Sequence, residues 1–120
     1  MLPINVQVAL RDLLRQQHAV VAALAGPALV EFGSPNCGHC RRALPLLVQA
    51  IAGHPRVRHI RVADGPGRRL GRSFGVKLWP TLVFLRDGRE VARMVRPTDA
   101  GAICEAIARI DAGGAQGPAC

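Results

Sequence analysis

Aromatic residues are scarce in this chain, which has three Phe, one Trp and no Tyr in 120 positions. Leu, Val, Ile and Ala must therefore fill the interior, and with 49% of the chain hydrophobic they suffice for one compact domain without disulfide staples or a metal. Lysine is nearly missing as well. Lys77 stands alone, so the 16 basic residues that outweigh 8 acidic ones are otherwise all arginine, and the formal charge is +8. These arginines are scattered rather than gathered in a run, and no aromatics are interleaved with them. That pattern argues against a nucleic-acid partner and for a solvated surface with some preference for acidic partners. Long apolar runs are absent too: none approaches the roughly 20 residues that cross a bilayer, so no membrane span is expected. The N-terminus lacks a basic n-region, and the apolar stretch Ala19–Ala25 is short and closed by Gly26-Pro27. Ala23-Leu24-Ala25 resembles a cleavage site, yet the stretch reads better as a helix inside the domain. A cytoplasmic location follows, with the periplasm as the alternative if the N-terminus is a cleaved signal.

What is present organises into alternating elements. Ile4–Val8 alternates as a short strand, and Leu10, Leu13, Leu14, Val21 and Leu24 recur at helical spacing up to about Ala25. Ala28–Phe32, apolar but for Glu31, reads as a central buried strand. The turn sequence Gly33-Ser34-Pro35-Asn36 leads to a helix beginning near Cys37, with Ala43, Leu44, Leu47, Val48 and Ile51 on its inner face and Pro45 kinking it. Gly53 and Pro55 end that helix. A strand over Val57–Ala63, a short helix over Arg68–Phe74 and a strand over Val76–Leu85 follow. Asp87-Gly88 then marks a hairpin into Glu90–Val95. Thr98 is placed to cap a last helix whose Ile103, Ile107 and Ile110 share a face. The order β-α-β-α-β-α-β-β-α predicts an α/β fold, a central mixed sheet of four to five strands flanked by helices. It occupies a single domain over 1–112, followed by a flexible tail over 113–120.

Two cysteines three apart at a helix start are a redox device. The free N–H groups and partial positive charge of the helix end favour a thiolate at Cys37, the nucleophile, and Cys40 one turn later can close the disulfide. His39 between them is expected to stabilise that thiolate by charge or hydrogen bonding, with Arg41 and Arg42 acting in the same direction. Zinc would need two more ligands, and Cys104 and Cys120 lie far along the chain from the pair, so no metal is expected. A purely structural disulfide closing so short a loop would stabilise little. Glu31, six residues upstream in an apolar strand, is costly to bury ionised and is expected to exchange a proton with the resolving cysteine. Trp79-Pro80-Thr81 puts a proline at a strand entrance, either a turn or a cis bond.

Cys37-Gly38-His39-Cys40, Pro45, Pro80 and Asp87-Gly88 together resemble the thioredoxin family over roughly residues 4–110. The resemblance implies a thioredoxin fold and a cell-redox, electron-transport role as a thiol–disulfide oxidoreductase. The chain would need no cofactor beyond the Cys37–Cys40 disulfide. It would act as a monomer on protein disulfides and be served by a thioredoxin-reductase-like donor. It also implies that Pro80 is cis and lies against Cys37, that Glu31 stands for the family's buried aspartate, and that Asn36, Gly38, Trp79, Pro80, Thr81 and Arg96 meet substrate. The chain departs from the family pattern at several places. Gly33 and Asn36 replace two tryptophans, Arg96 replaces a groove glycine, and the lysine that usually partners the buried acid has no evident counterpart. Gly38-His39 is the pair found in protein disulfide isomerases and predicts a more oxidising couple than ordinary thioredoxin. A reductase is the favoured reading. The alternatives are a disulfide oxidase or isomerase in an oxidising compartment, and a partner-binding module without turnover.

Overall fold

The computed structural model describes residues 21–111, so the expected strand at 4–8, most of the first helix and the 113–120 tail lie outside the described residues. Val21 and Ala22 form the end of a helix, and Gly26, with φ 77°, turns the chain into the sheet. The elements that follow are β1 (Pro27–Gly33), α1 (Gly38–Ala52), β2 (Arg58–Ala63), α2 (Arg69–Ser73), β3 (Thr81–Arg86), β4 (Arg89–Val95) and α3 (Ala100–Ile110). The sheet runs β2-β1-β3-β4. β1 pairs in parallel with β2 and antiparallel with β3, and β3 pairs antiparallel with β4.

β1 is central and covered on both faces, which explains its nearly unbroken apolar sequence. Because successive side chains alternate across a strand, Ala28, Val30 and Phe32 face one layer and Leu29 and Glu31 the other. The first layer joins Val62, Leu70, Phe74, Val83, Leu85 and Val21, with the Phe32 and Phe74 rings 5.6 Å apart. The second seats α1 and α3 side by side through Leu47, Ala50, Ile103, Ile107 and Ile110 against Leu29, Leu82 and Phe84. Glu31 therefore points under α1, into the layer that carries Cys40.

Several boundaries differ from the sequence reading for local reasons. β3 begins at Thr81, since the segment 76–80 is irregular up to a cis Trp79–Pro80 bond. Asp99, not Thr98, caps α3, its carboxylate accepting from the N–H groups of Gly101 and Ala102. α1 continues through Pro45 and buries Cys40, Ala43, Leu47 and Ala50, whereas Val48 is 56% exposed. A pair that sequence reasoning missed ties the ends of the two long helices: His54 Nδ1 and Asp111 Oδ2 lie 2.8 Å apart, both buried.

Candidate active site

Cys37 is the N-cap of α1, with extended backbone (φ −94°, ψ 118°). Its Sγ accepts from the Cys40 N–H at 3.2 Å, as a capping side chain does, and the first turn holds no acidic residue to offset the helix dipole. On the other side Sγ lies 3.8 Å from the Trp79 carbonyl oxygen, which brings the thiol against the segment ending in Pro80. Partial burial pushes the Cys37 thiol up. The Cys40 thiol, the Cys40 and His39 N–H groups and the Arg96 charge outweigh that and hold it below its ordinary value. Cys40 is the opposite case. Burial, the hydrogen bond to Cys37 and the negative charges of Cys37 and Glu31 push its thiol up to about 11, the Ser34 N–H opposing only in part. Both are free thiols, one half-exposed and primed, the other buried and held protonated.

Glu31 is 3% exposed, and its Oε1 accepts from His59 Nε2 at 2.8 Å and meets Arg61 Nε at 3.3 Å. These two fill the place for which no partner is evident in the sequence. Arg61 stands directly opposite Glu31 in the β1–β2 ladder, and His59 is two residues away on the same face. The signal was present in the alternation of His59 and Arg61 along β2, but only the register turns it into a contact. A cavity of about 260 Å³ reaches Glu31 and Cys40 together, lined also by Gly33, Ser34 and Arg61. A Cβ at Gly33 would lie 2.9 Å from Cys40 Sγ, so a side chain at this position would press on the thiol.

His39 corrects the sequence reading. Its exposed imidazole turns to Arg42, with Nη2 to Nδ1 3.0 Å, and desolvation together with the Arg96 and Arg42 charges holds the ring below its ordinary value. The shift is away from the cation, and what His39 offers Cys37 is its backbone N–H. Trp79 is oriented from outside the loop, its Nε1 donating to Asp64 Oδ2 at 2.8 Å. Arg96, in the left-handed region at φ 50°, donates from its N–H to the Pro80 carbonyl at 2.9 Å and from Nε to the Trp79 carbonyl at 2.9 Å. Thr81 is buried, and its hydroxyl donates to the Leu78 carbonyl. Gly38 and Asn36 flank Cys37 in the loop, Asn36 exposed. The structure thus gathers Cys37, Cys40, His39, Trp79, Pro80 and Arg96 at one end of the sheet, with Glu31 beneath. Among the described residues no group of three His, Cys, Asp or Glu side chains is arranged to hold a metal, and no helix is long and apolar enough to cross a membrane.

Comparison with known proteins agrees with this geometry. The family model described as Thioredoxin matches residues 13–109. Human protein disulfide-isomerase A2 is 37% identical over 105 residues, 81% of this chain, and the chain spans only 20% of that protein. Thioredoxin from Chlamydia muridarum is 29% identical over 98 residues, covering 82% of this chain and 96% of its own length. Among solved structures, reduced thioredoxin 2 from Pseudomonas aeruginosa PAO1 superposes with a TM-score of 0.73 at 57% identity, covering 82% of this chain and 91% of that one.

Proposed function

We propose that this chain, which belongs to the thioredoxin family and is a thiol–disulfide oxidoreductase, works as a reductase of protein disulfides. The Cys37 thiolate attacks one sulfur of a substrate disulfide, that S–S bond breaks, and one substrate thiolate leaves. Cys40 then attacks the Cys37 sulfur, releasing the second thiolate and leaving the Cys37–Cys40 disulfide, so two electrons pass from protein to substrate. The observation that carries the two cysteine roles is the asymmetry of the pair: Cys37 caps the helix and is held below its ordinary value, while the buried Cys40 is pushed up to about 11.

Each surrounding residue has a role in this scheme. The Trp79–Pro80 segment presents backbone beside Cys37, with Asn36 and Gly38 completing the surface that substrate meets, while the buried Thr81 braces that segment through the Leu78 carbonyl. Glu31 takes the proton from Cys40 across the cavity that both line, which is large enough for a bridging water and is edged by the polar residues Ser34 and Arg61. The downward shift of the His39 ring fits the reductase direction, because a cationic imidazole beside Cys37 would stabilise the reduced form and make the couple more oxidising. A thioredoxin-reductase-like donor in the cytoplasm returns the electrons to a monomeric chain.

The test is the reduction potential of the Cys37–Cys40 couple, titrated against glutathione. A value near the thioredoxin reference of about −270 mV is expected. A value near the disulfide-isomerase reference of about −180 mV would overturn the reductase direction in favour of a disulfide donor.

A further inference from the structure

A second cavity, of about 220 Å³, is lined by His39, which stands between the two cysteines in the chain, and by Arg42, Leu46, Arg96, Pro97 and Thr98. Its charged walls are both guanidinium groups. Among the described residues neither Arg42 nor Arg96 forms an ion pair, although Glu31 and Glu90 each draw an arginine elsewhere in the fold. Nor are the two swinging freely. Arg42 Nη2 is held by His39 Nδ1 at 3.0 Å, and Arg96 Nε by the Trp79 carbonyl at 2.9 Å. A guanidinium carries five N–H donors, so each arginine is anchored at one nitrogen and keeps the others for a ligand. The Trp79 carbonyl that anchors Arg96 also lies 3.8 Å from Cys37 Sγ, so one backbone group links the arginine of the cavity to the thiol.

The geometry points to a carboxylate subsite: we propose that the Arg42–Arg96 cavity receives an Asp or Glu side chain adjoining the substrate's disulfide, so that Cys37 acts preferentially on disulfides in acidic segments. This rests on the reading of Cys37 as the attacking thiolate and adds the class of substrate it prefers. Planar, forked donors suit a carboxylate better than a single charge would. Desolvation and then the charges of the same two arginines hold the His39 ring below its ordinary value, in keeping with a positive potential that a bound anion would relieve. The redox step is unchanged. Cys37 bonds to the substrate sulfur, the substrate S–S bond breaks, Cys40 closes the protein disulfide, and both substrate sulfurs leave as thiolates. The carboxylate takes no part in bond making. It lowers the free energy of the encounter and of the transition state alike.

The experiment uses two disulfide-linked peptide dimers that differ only in Glu or Gln next to the cysteine, reduced by the full chain, with the rates compared as a ratio. Within any one variant the ratio cancels changes in Cys37 reactivity, which removal of the Arg96 charge would itself cause. The chain is expected to reduce the Glu peptide about 3- to 10-fold faster at low ionic strength, as two exposed charge pairs of ordinary strength supply, with the preference fading at high salt. The double variant Arg42→Gln/Arg96→Gln should bring the ratio to about one. Arg89→Gln, at the far end of the β3–β4 hairpin, should leave the ratio where it was. A wild-type ratio near unity, a preference that survives the double variant, or one lost equally in Arg89→Gln overturns the subsite while leaving the reductase intact. A chain that reduces neither peptide overturns the reductase reading and the subsite with it.

Discussion

Replacing Glu31 by Gln separates the two things that this carboxylate does to Cys40. With the Cys40 thiol at about 11, only about one molecule in ten thousand carries its thiolate at pH 7. Resolution of the mixed disulfide would be slow if it waited for that fraction, and a positioned base relieves the wait by roughly 10²- to 10⁴-fold. The same carboxylate also opposes resolution, since its charge helps to raise Cys40. That charge is the smallest of the raising influences, behind burial and the two effects of Cys37, so loss of the base should win. The expected result is a resolution step slowed about 10- to 100-fold at pH 7, the gap closing as pH approaches the thiol's own ionisation. Gln has the same shape and can still accept from His59, so the fold should survive. Stopped-flow mixing of the reduced chain with a chromophoric aryl disulfide resolves the two events, a first thiolate released by Cys37 and a second by Cys40. If the second phase of Glu31→Gln matches wild type at pH 7 and climbs with the same slope, Glu31 is no base and the reasoning fails.

The thiols themselves should titrate in a fixed order, Cys37 first and below 9.0, Cys40 last and near 11. Alkylation at pH 7 followed by peptide mapping should label Cys37 far ahead of Cys40, and comparable labelling of the two would contradict the assigned asymmetry. Far from the site, Asp111→Ala should strand a His54 that is fully buried and whose Nε2 has no partner either, at a cost of roughly 3 kcal/mol in urea unfolding. A loss under about 1 kcal/mol would mean that the pair does little to hold α1 against α3.

Most of the fold was legible because its signals are local. Turn residues at Gly33–Asn36, the Asp87-Gly88 hairpin and the apolar run of β1 each decide an element within a few positions. The cysteine pair was legible for the same reason, since a helix N-terminus and a three-residue spacing lie within one turn. What escaped was set by register. Arg61 meets Glu31 only because β1 and β2 align residue 31 with 61, and Asp64 reaches the Trp79 indole across fifteen positions of loop and helix. His39 was misjudged because chain proximity to Cys37 says nothing of which way a ring turns, and Arg42 one helical turn on was there to take it. Asp99 took the cap from Thr98 because either residue type is suited to it, and only the backbone path decides between adjacent candidates.

That dispersal has a consequence for how the molecule comes into being. The thiol pair sits at the tip of α1, but the carbonyl against Cys37 belongs to the segment before β3, the charge beside it follows β4, and the carboxylate beneath Cys40 is on β1. Contacts between segments this far apart in sequence close late, since each must first overcome the entropy of the intervening loop. A growing or half-assembled chain therefore carries two ordinary thiols, neither primed nor buried. Reactivity arrives only when the sheet is complete, so a chain that has not finished folding is a poor reagent for disulfides, its own included.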